Sequence, residues 1–508
     1  VNSDFQLRPY QERFVTAVLD GFKETRRLLA VAPTGSGKAV LMAALAKHYQ
    51  PGKTLILAHT NELVEQAWDK LYRSTGIAAG IEKAEHNAEM TDRVVVGSIQ
   101  SVSRRLDRYS PNHFELVIAD EAHTAASDTW VKTLNHFTGA KILGVTATGF
   151  RADKKQLKDV FDKVAIDIGL RELVKDGYLS RIKVQTIPVN ISLDGVKQSQ
   201  GDFDVNELDD RITPYLRPVA EAIKQYASNR KTLVFVPLIK TSEAFVKVCD
   251  EIGIHAKHID GKSVDRKQIL DDFKANRFQV LCNSSLLTTG FDDPGISCVV
   301  MLRPTRSRVL FIQCIGRGTR IHPGKEDLLI LDPCFLSHKF NLVTAASLIC
   351  ETEDQDTAVS KKIRQTKEPR DLMDIEQDVM ADRERALKAE LDRNRRRSAS
   401  RFDPLTYAAT VHDMAIADYQ PTYSWEEQSP SQKQLDALSK FGFDATTVKN
   451  KGHASKILDS LFGRMKLKLA SAKQIIWLTK FGYPNPDKAT FEQASKFLDT
   501  KFGSRKAA

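Results

Sequence analysis

Three short stretches carry residue types that could handle phosphate. The first is A32-P-T-G-S-G-K-A39, a glycine-bearing loop between an apolar run and the apolar stretch V40-L-M-A-A-L-A46. Glycines let backbone N–H groups converge on phosphate oxygens, and the following helix N-terminus adds partial positive charge. Lys38 would reach the β- and γ-phosphates, with Thr34, Gly35, Ser36, Gly37 and Ala39 forming the rest of the loop. A phosphate loop of this kind ends in Ser or Thr, whose hydroxyl holds Mg²⁺; here the position is Ala39. The second stretch is L116-V-I-A-D-E-A-H123. Its two adjacent carboxylates close a hydrophobic strand, at the edge where ligands sit in parallel sheets. Asp120 would bind Mg²⁺, directly or through water, and Glu121 would orient and deprotonate an attacking water. The third is Q313-C-I-G-R-G-T-R320. Phosphoryl transfer needs cations around the γ-phosphate, and Arg317 and Arg320, three apart, would face the same way on one helical turn. Alone, the same string could be an exposed basic loop.

These stretches need elements to hold them. Apolar runs without alternation recur at L28-L-A-V-A32, T54-L-I-L-A58, R93-V-V-V-G97, K141-I-L-G-V145, T232-L-V-F-V236, F278-Q-V-L-C282, S297-C-V-V-M301 and D327-L-L-I-L331. Such runs predict strands buried on both faces, and the helical patterns between them predict crossovers and mostly parallel sheets. The expected fold is α/β: two tandem parallel-sheet domains followed by a helical C-terminal extension. The expected divisions are 1–185 and 186–345 for the two sheets, 346–425 for a charged helical linker, and 426–508 for a tandem helical repeat. Residues Y178–N190 read as a strand-rich connector, and the charged run R383–R397 as a solvated helix or a basic strip. In the tail, S431-Q-K-Q-L-D-A-L-S-K-F-G-F443 returns forty residues later as S471-A-K-Q-I-I-W-L-T-K-F-G-Y483. Each copy reads as helix, turn at Gly442 or Gly482, and second helix. Phe441, Phe481 and Trp477 could be core alone, whereas the lysines favour DNA or a partner protein.

The bulk numbers set outer limits. At 508 residues the chain is too long for one ordinary domain. A net charge of +10 fits a polyanion partner without requiring one. No apolar span of membrane length or secretion-signal pattern is evident, so the expected place is the cytoplasm of a bacterial or phage-infected cell, with no membrane partner. None of the six cysteines forms a C-x-x-C pair, which argues against a zinc module.

Taken in order, R8-P-Y-Q11, A32–Ala39, L57-A-H-T-N-E-L63, V96-G-S-I-Q-S101, D120-E-A-H123, T146-A-T148, L233-V-F-V236, L287-T-T-G-F-D292 and Q313–Arg320 resemble the motif series of superfamily 2 helicases of the DEAD/DEAH type. G144–R151 and L302–Q313 look most similar to the RadD-type bacterial and phage DNA helicases, without the zinc-binding cysteines often found after that core. The resemblance covers roughly residues 5–335 and implies an ATP-dependent helicase or translocase acting in replication, recombination or repair. It implies adenine recognition by Arg8 and Gln11, and coupling of hydrolysis to movement by His123, Thr146 and Thr148. Gly290 and Asp292 would contact nucleotide or the interdomain linkage, and Gln313 would complete the site with the two arginines. His59, Thr60, Ser98, Gln100, Thr288 and Thr289 would touch a nucleic acid backbone, although Ser and Thr at strand ends are often helix caps. The implied cofactors are ATP and Mg²⁺. The implied partner is nucleic acid, DNA over RNA, with a replication or single-strand-binding protein on the tail repeats. An RNA helicase, the motor subunit of a restriction complex and a scaffold disabled at Ala39 are the competing readings.

Overall fold

The computed structural model describes residues 6–147, 157–199, 202–261, 263, 265–284, 291, 293–336, 342–350, 352–395, 403–421, 426–441, 443–444 and 447–503. The chain divides into two compact units, Val1–Val379 and Met380–Ala508.

The first unit holds two seven-stranded sheets. Strands β1 (Arg27–Val31), β2 (Thr54–Ala58), β3 (Gly80–Glu82), β4 (Val94–Ser98), β5 (Leu116–Asp120), β6 (Lys141–Thr146) and β7 (Lys163–Asp167) are parallel in the order β3-β4-β2-β5-β6-β1-β7. The unalternating runs have the expected cause. Leu28, Ile56, Ile118 and Leu143 face one core with Phe14 and Leu41, while their neighbours Leu29, Leu55, Val117 and Ile142 face another with Trp130 and Phe137. With both faces covered, the central positions of these strands are apolar.

The second sheet begins with β8 (Arg181–Ser192). A short hairpin, β9 (Gln198–Ser199) and β10 (Asp202–Phe203), follows. Strands β11 (Thr232–Phe235), β12 (Ala256–Ile259), β13 (Val280–Asn283), β14 (Cys298–Met301), β15 (Asp327–Leu336) and β16 (Arg370–Asp371) complete it in the order β12-β13-β11-β14-β15-β8-β16. All its pairs are parallel except β16 on β8.

Two expected divisions differ from this arrangement. The stretch read as a connector is β8, paired along its length with β15, so the 185/186 division falls inside a strand. Ile182, Val184, Ile187, Val189 and Ile191 are buried and polar residues intervene, an alternation unlike the other strands. The expected linker 346–425 also starts too early. Val359, Ile363, Leu372, Ile375 and Val379 pack into the core of the second sheet. They are sparse in the sequence, but three or four apart, so each helix turns one apolar face inward.

The second unit is helical. Helices Gln432–Lys440 and Lys451–Lys466 form one copy of the repeat, and Ala472–Lys480 and Phe491–Gly503 the other. Ser431 caps its helix through Gln434 N, Ser471 caps through Gln474 N, and both form capping boxes. The same two glutamines each donate to a serine of the paired helix, Gln434 to Ser455 and Gln474 to Ser495, both at 2.9 Å. Each copy has its own core, around Leu438, Phe443 and Ile457 in one and Ile475, Leu478 and Leu498 in the other. Phe441 and Phe481 pack against those cores, whereas Trp477 stays more than a third exposed. Gly482 makes its turn with φ +72°; Gly442 lies outside the described residues.

Candidate active site

β1 feeds the loop that opens helix Lys38–His48. Gly35 and Gly37 have φ of +90° and +81°, conformations that side-chain-bearing residues rarely adopt. A Cβ on Gly37 would also sit 3.0 Å from Gln11 Nε2, a tight contact. Ala32 N donates to Thr146 O at 2.9 Å, tying the loop to the end of β6. Thr34 Oγ1 and Ser36 Oγ are buried without a hydrogen-bond partner in the protein. Buried polar groups ordinarily have partners, so these two mark a place for a polar ligand or water.

Asp120 and Glu121 stand at the end of β5, and Glu121 holds a left-handed φ of +52°. Backbone strain at a non-glycine residue marks sites where position matters more than comfort. Lys38 Nζ donates to Glu121 Oε1 at 2.9 Å, and Glu121 N donates to Asp120 Oδ1 at 2.9 Å. His123 Nδ1 lies 3.3 Å from Glu121 Oε2 without hydrogen-bonding geometry. The two carboxyls are pushed apart in acidity. Burial, then the neighbouring Glu121 charge, raises Asp120 to about 6. Burial also works against ionised Glu121, but the Lys38 ammonium and His123 override it and hold Glu121 well below the usual carboxylate range. Splitting two adjacent carboxyls in this way is how one site separates their roles.

The second sheet contributes the facing wall. Helix Arg308–Ile315 stops at Ile315, and Arg317 and Arg320 come from the turn beyond it. They are not on one helical turn, as the spacing had predicted, yet both line the same cavity. Gly316 and Gly318 break the helix where neighbours press in: a Cβ would meet Thr34 Cβ at 2.4 Å and Leu328 Cδ1 at 2.4 Å respectively. Thr319 Oγ1 donates to Thr34 O at 3.2 Å, a direct bond between the two loops. Ser180 N and Oγ donate to Thr319 O and Arg320 O at 2.7 and 2.8 Å. Arg317 Nη1 donates to Phe291 O at 2.8 Å. Gln313 is buried on the helix and does not line the cavity.

The cavity is about 380 Å³ and brings Lys38, Asp120, Glu121, Arg317 and Arg320 together with Thr34, Gly35, Gly37 and Ala39. An adjoining hollow of about 370 Å³ holds Arg8, Gln11 and Ser36 and shares Gly35 and Gly37 with it. There Tyr10 Oη donates to Ser36 O at 2.6 Å, Arg8 N donates to Gln11 Oε1 at 3.0 Å, and the Arg8 guanidinium lies 5.7 Å from the Tyr178 ring centre. A single buried carboxylate facing a cavity with room for waters suits Mg²⁺, which keeps several waters. Among the described residues no three His, Cys, Asp or Glu side chains gather into a metal-holding group, and no helix is long and apolar enough to cross a membrane.

Four of the six expected backbone-contact residues meet at the C-terminal ends of the paired strands β2 and β4. Gln100 Nε2 donates to His59 O at 3.1 Å. Thr60 caps helix Asn61–Thr75 through Leu63 N, and Ser98 caps helix Ile99–Arg104 through Ser101 N. Thr146 is buried at the end of β6. Thr148, Thr288, Thr289, Gly290 and Asp292 lie outside the described residues.

Sequence reasoning missed several cavity residues. Leu63, Gln66, Ala67, Lys70, Arg73 and Ser74 line it from one face of helix Asn61–Thr75. Burial first, then Arg320 and Arg317, depress Lys70 to about 8. The available signal was one lysine at helical spacing from Leu63 and Ala67 on an otherwise inward face.

Comparison with known proteins agrees with this geometry. Residues 4–151 match the family described as "Type III restriction enzyme, res subunit", and residues 216–322 match "Helicase conserved C-terminal domain". A Saccharomyces cerevisiae protein named provisionally as ATP-dependent helicase IRC3 is 31% identical over 353 residues, covering 64% of this chain and 51% of that protein. A Schizosaccharomyces pombe protein named provisionally as mitochondrial ATP-dependent helicase irc3 is 36% identical over 352 residues, covering 65% and 57%. The chain thus spans between half and three fifths of these relatives. The solved fragment of a provisionally assigned HsdR subunit of a type I restriction enzyme from Vibrio vulnificus shares the fold, with TM-score 0.52, 23% identity and 64% of each chain covered. Both matched regions are thus helicase-family domains, one on each of the two sheets. The chain belongs to superfamily 2 of the helicases.

Proposed function

We propose that the chain is an ATP-hydrolysing motor that moves along nucleic acid, DNA in preference to RNA, in replication, recombination or repair. The observation that carries this reading is the one cavity where Lys38, Asp120 and Glu121 from the first sheet face Arg317 and Arg320 from the second. The loop from Thr34 to Gly37, with Lys38, holds the β- and γ-phosphates of ATP, and Arg8 and Gln11 take the adenine. Glu121 orients a water and accepts its proton as the water oxygen bonds to the γ-phosphorus and the bond to the β–γ bridging oxygen breaks, releasing ADP. Arg317 and Arg320 neutralise charge on the transferred group. Asp120 would hold Mg²⁺, which when bound would offset the leaving group's charge. His123, Thr146 and Thr148 couple hydrolysis to movement, and His59, Thr60, Ser98, Gln100, Thr288 and Thr289 touch the nucleic acid backbone. Backbone grip carries no sequence information, so binding is sequence-independent and strongly salt-dependent. The S. pombe relative's name says mitochondrial, so it lends no support to a bacterial or phage cytoplasm.

Ala39 favours a second reading, a motor held nearly silent for want of the Mg²⁺-holding hydroxyl. Steady-state ATP turnover with Mg²⁺ separates the two, measured alone, with single-stranded DNA and with matched RNA. Turnover stimulated by DNA and lost in Glu121→Gln supports the motor. No turnover until Ala39→Thr is introduced means a disabled one. Stronger stimulation by RNA overturns the DNA preference.

A further inference from the structure

The second repeat carries aromatic side chains that its fold does not require. Trp477 stands where the first copy has Ala437, and Phe491 where the first has Lys451, yet both copies keep the same caps and the same glutamine–serine bonds. Trp477 is 36% exposed and Phe491 55%. A large apolar side chain that is exposed, and dispensable to the same fold forty residues earlier, calls for a partner.

The surroundings state the partner's charge. Residues 449–480 hold eight Lys or Arg and one acidic residue, Asp459. Lys473, Trp477 and Lys480 fall at helical spacing on one face of helix Ala472–Lys480, and Lys480 Nζ lies 4.8 Å from the centre of the Trp477 ring. Trp477 and Phe481 stack with centroids 5.8 Å apart and planes 21° apart. The end of helix Lys451–Lys466 and the turn after it present Met465 and Leu467, 59% and 69% exposed, with Lys466 and Lys468 between and beside them. Phe491 N donates to Lys468 O at 2.8 Å, and Gln474, one turn before Trp477, donates to Phe491 O at 3.4 Å. Those bonds join turn, helix face and Phe491 into one patch of flat apolar surfaces edged by ammonium groups.

We propose that this patch binds a single strand of nucleic acid, its phosphates on the lysines and its unstacked bases on Trp477 and Phe491. Alternating cations and exposed ring faces are what sequence-tolerant single-strand binding uses. An acidic protein segment would match the lysines, whereas a single strand matches lysines and rings together at every nucleotide, because each base has a flat face. The site belongs to the second unit and goes beyond the motor reading, which concerns residues of the first.

The test uses the full chain without ATP, ultraviolet cross-linked to oligothymidylate and to oligouridylate, with the attached peptides identified. Cross-links within 464–491 are expected. Trp477→Ala should weaken binding about tenfold and Trp477→Phe should restore most of it. Lys473→Gln with Lys480→Gln, a surface change safe for folding, should reduce the salt slope by ~1.4, at ~0.7 per phosphate contact. ATP turnover in the absence of nucleic acid should be unchanged in all three. Cross-links found only outside 426–503 overturn the proposal. So does equal displacement by oligoglutamate, which marks an acidic-protein site, or a dimer in sedimentation that Trp477→Ala dissociates, which marks self-association. A chain that cross-links here but hydrolyses no ATP sinks the motor reading and leaves this one standing.

Discussion

At the residue scale, the site rests on two carboxyls and a set of cations with separable roles. Glu121→Gln is expected to lower ATP turnover by about 10²–10⁴-fold, the usual worth of a general base, while nucleotide binding measured by a fluorescent ATP analogue persists. Lys70 gives a pH-dependent outcome. Its pKa of about 8 lies below that of an ordinary lysine, so it loses its proton, and its charge, as pH rises through 8. KM for ATP should therefore rise above that pH. Lys70→Met should show the high-pH KM throughout, whereas Lys70→Arg should stay flat and low; no difference between Met and Arg variants would remove Lys70 from phosphate binding. The phosphate loop and the Asp120–Glu121 pair were legible because each is contiguous: one turn, one strand end. Lys70 was not, because it reaches the cavity only once its helix is packed beside the phosphate loop.

At the element scale, the arginine turn depends on how closely it approaches the phosphate loop. Gly316 touches Thr34 with no space for a methyl group. Gly316→Ala should push the two loops apart and reduce turnover by at least about tenfold, with circular dichroism unchanged. Thr34→Gly in the same chain should recover part of the loss, a coupling that independent sites do not show. The strands were legible where both faces are buried, since continuous apolar runs such as Val94–Val96 admit few other readings. β8 was harder because its outer half alternates, and the segment around Val359 and Ile363 because charge outnumbers the few apolar residues that anchor it. The arginines were expected on a helix because their spacing suits one; Gly316 and Gly318 end it first.

At the scale of the whole molecule, each unit has cores of its own, so unfolding should not be a single transition. Calorimetry is expected to resolve two. A non-hydrolysable ATP analogue with Mg²⁺ should raise only the transition of the unit holding the cavity, by about 2.7 kcal/mol at a hundredfold excess over Kd. Equal shifts in both would mean that the units unfold together. The Lys38–Glu121 bond has a consequence for idle activity. A phosphate can take Lys38 only in competition with that carboxylate, and by winning it strips Glu121 of the charge that keeps it a weak base. In the proposed mechanism the fuel thus arms the residue that consumes it, and a loosely seated triphosphate, too weak to draw Lys38 away, leaves the trigger on safety.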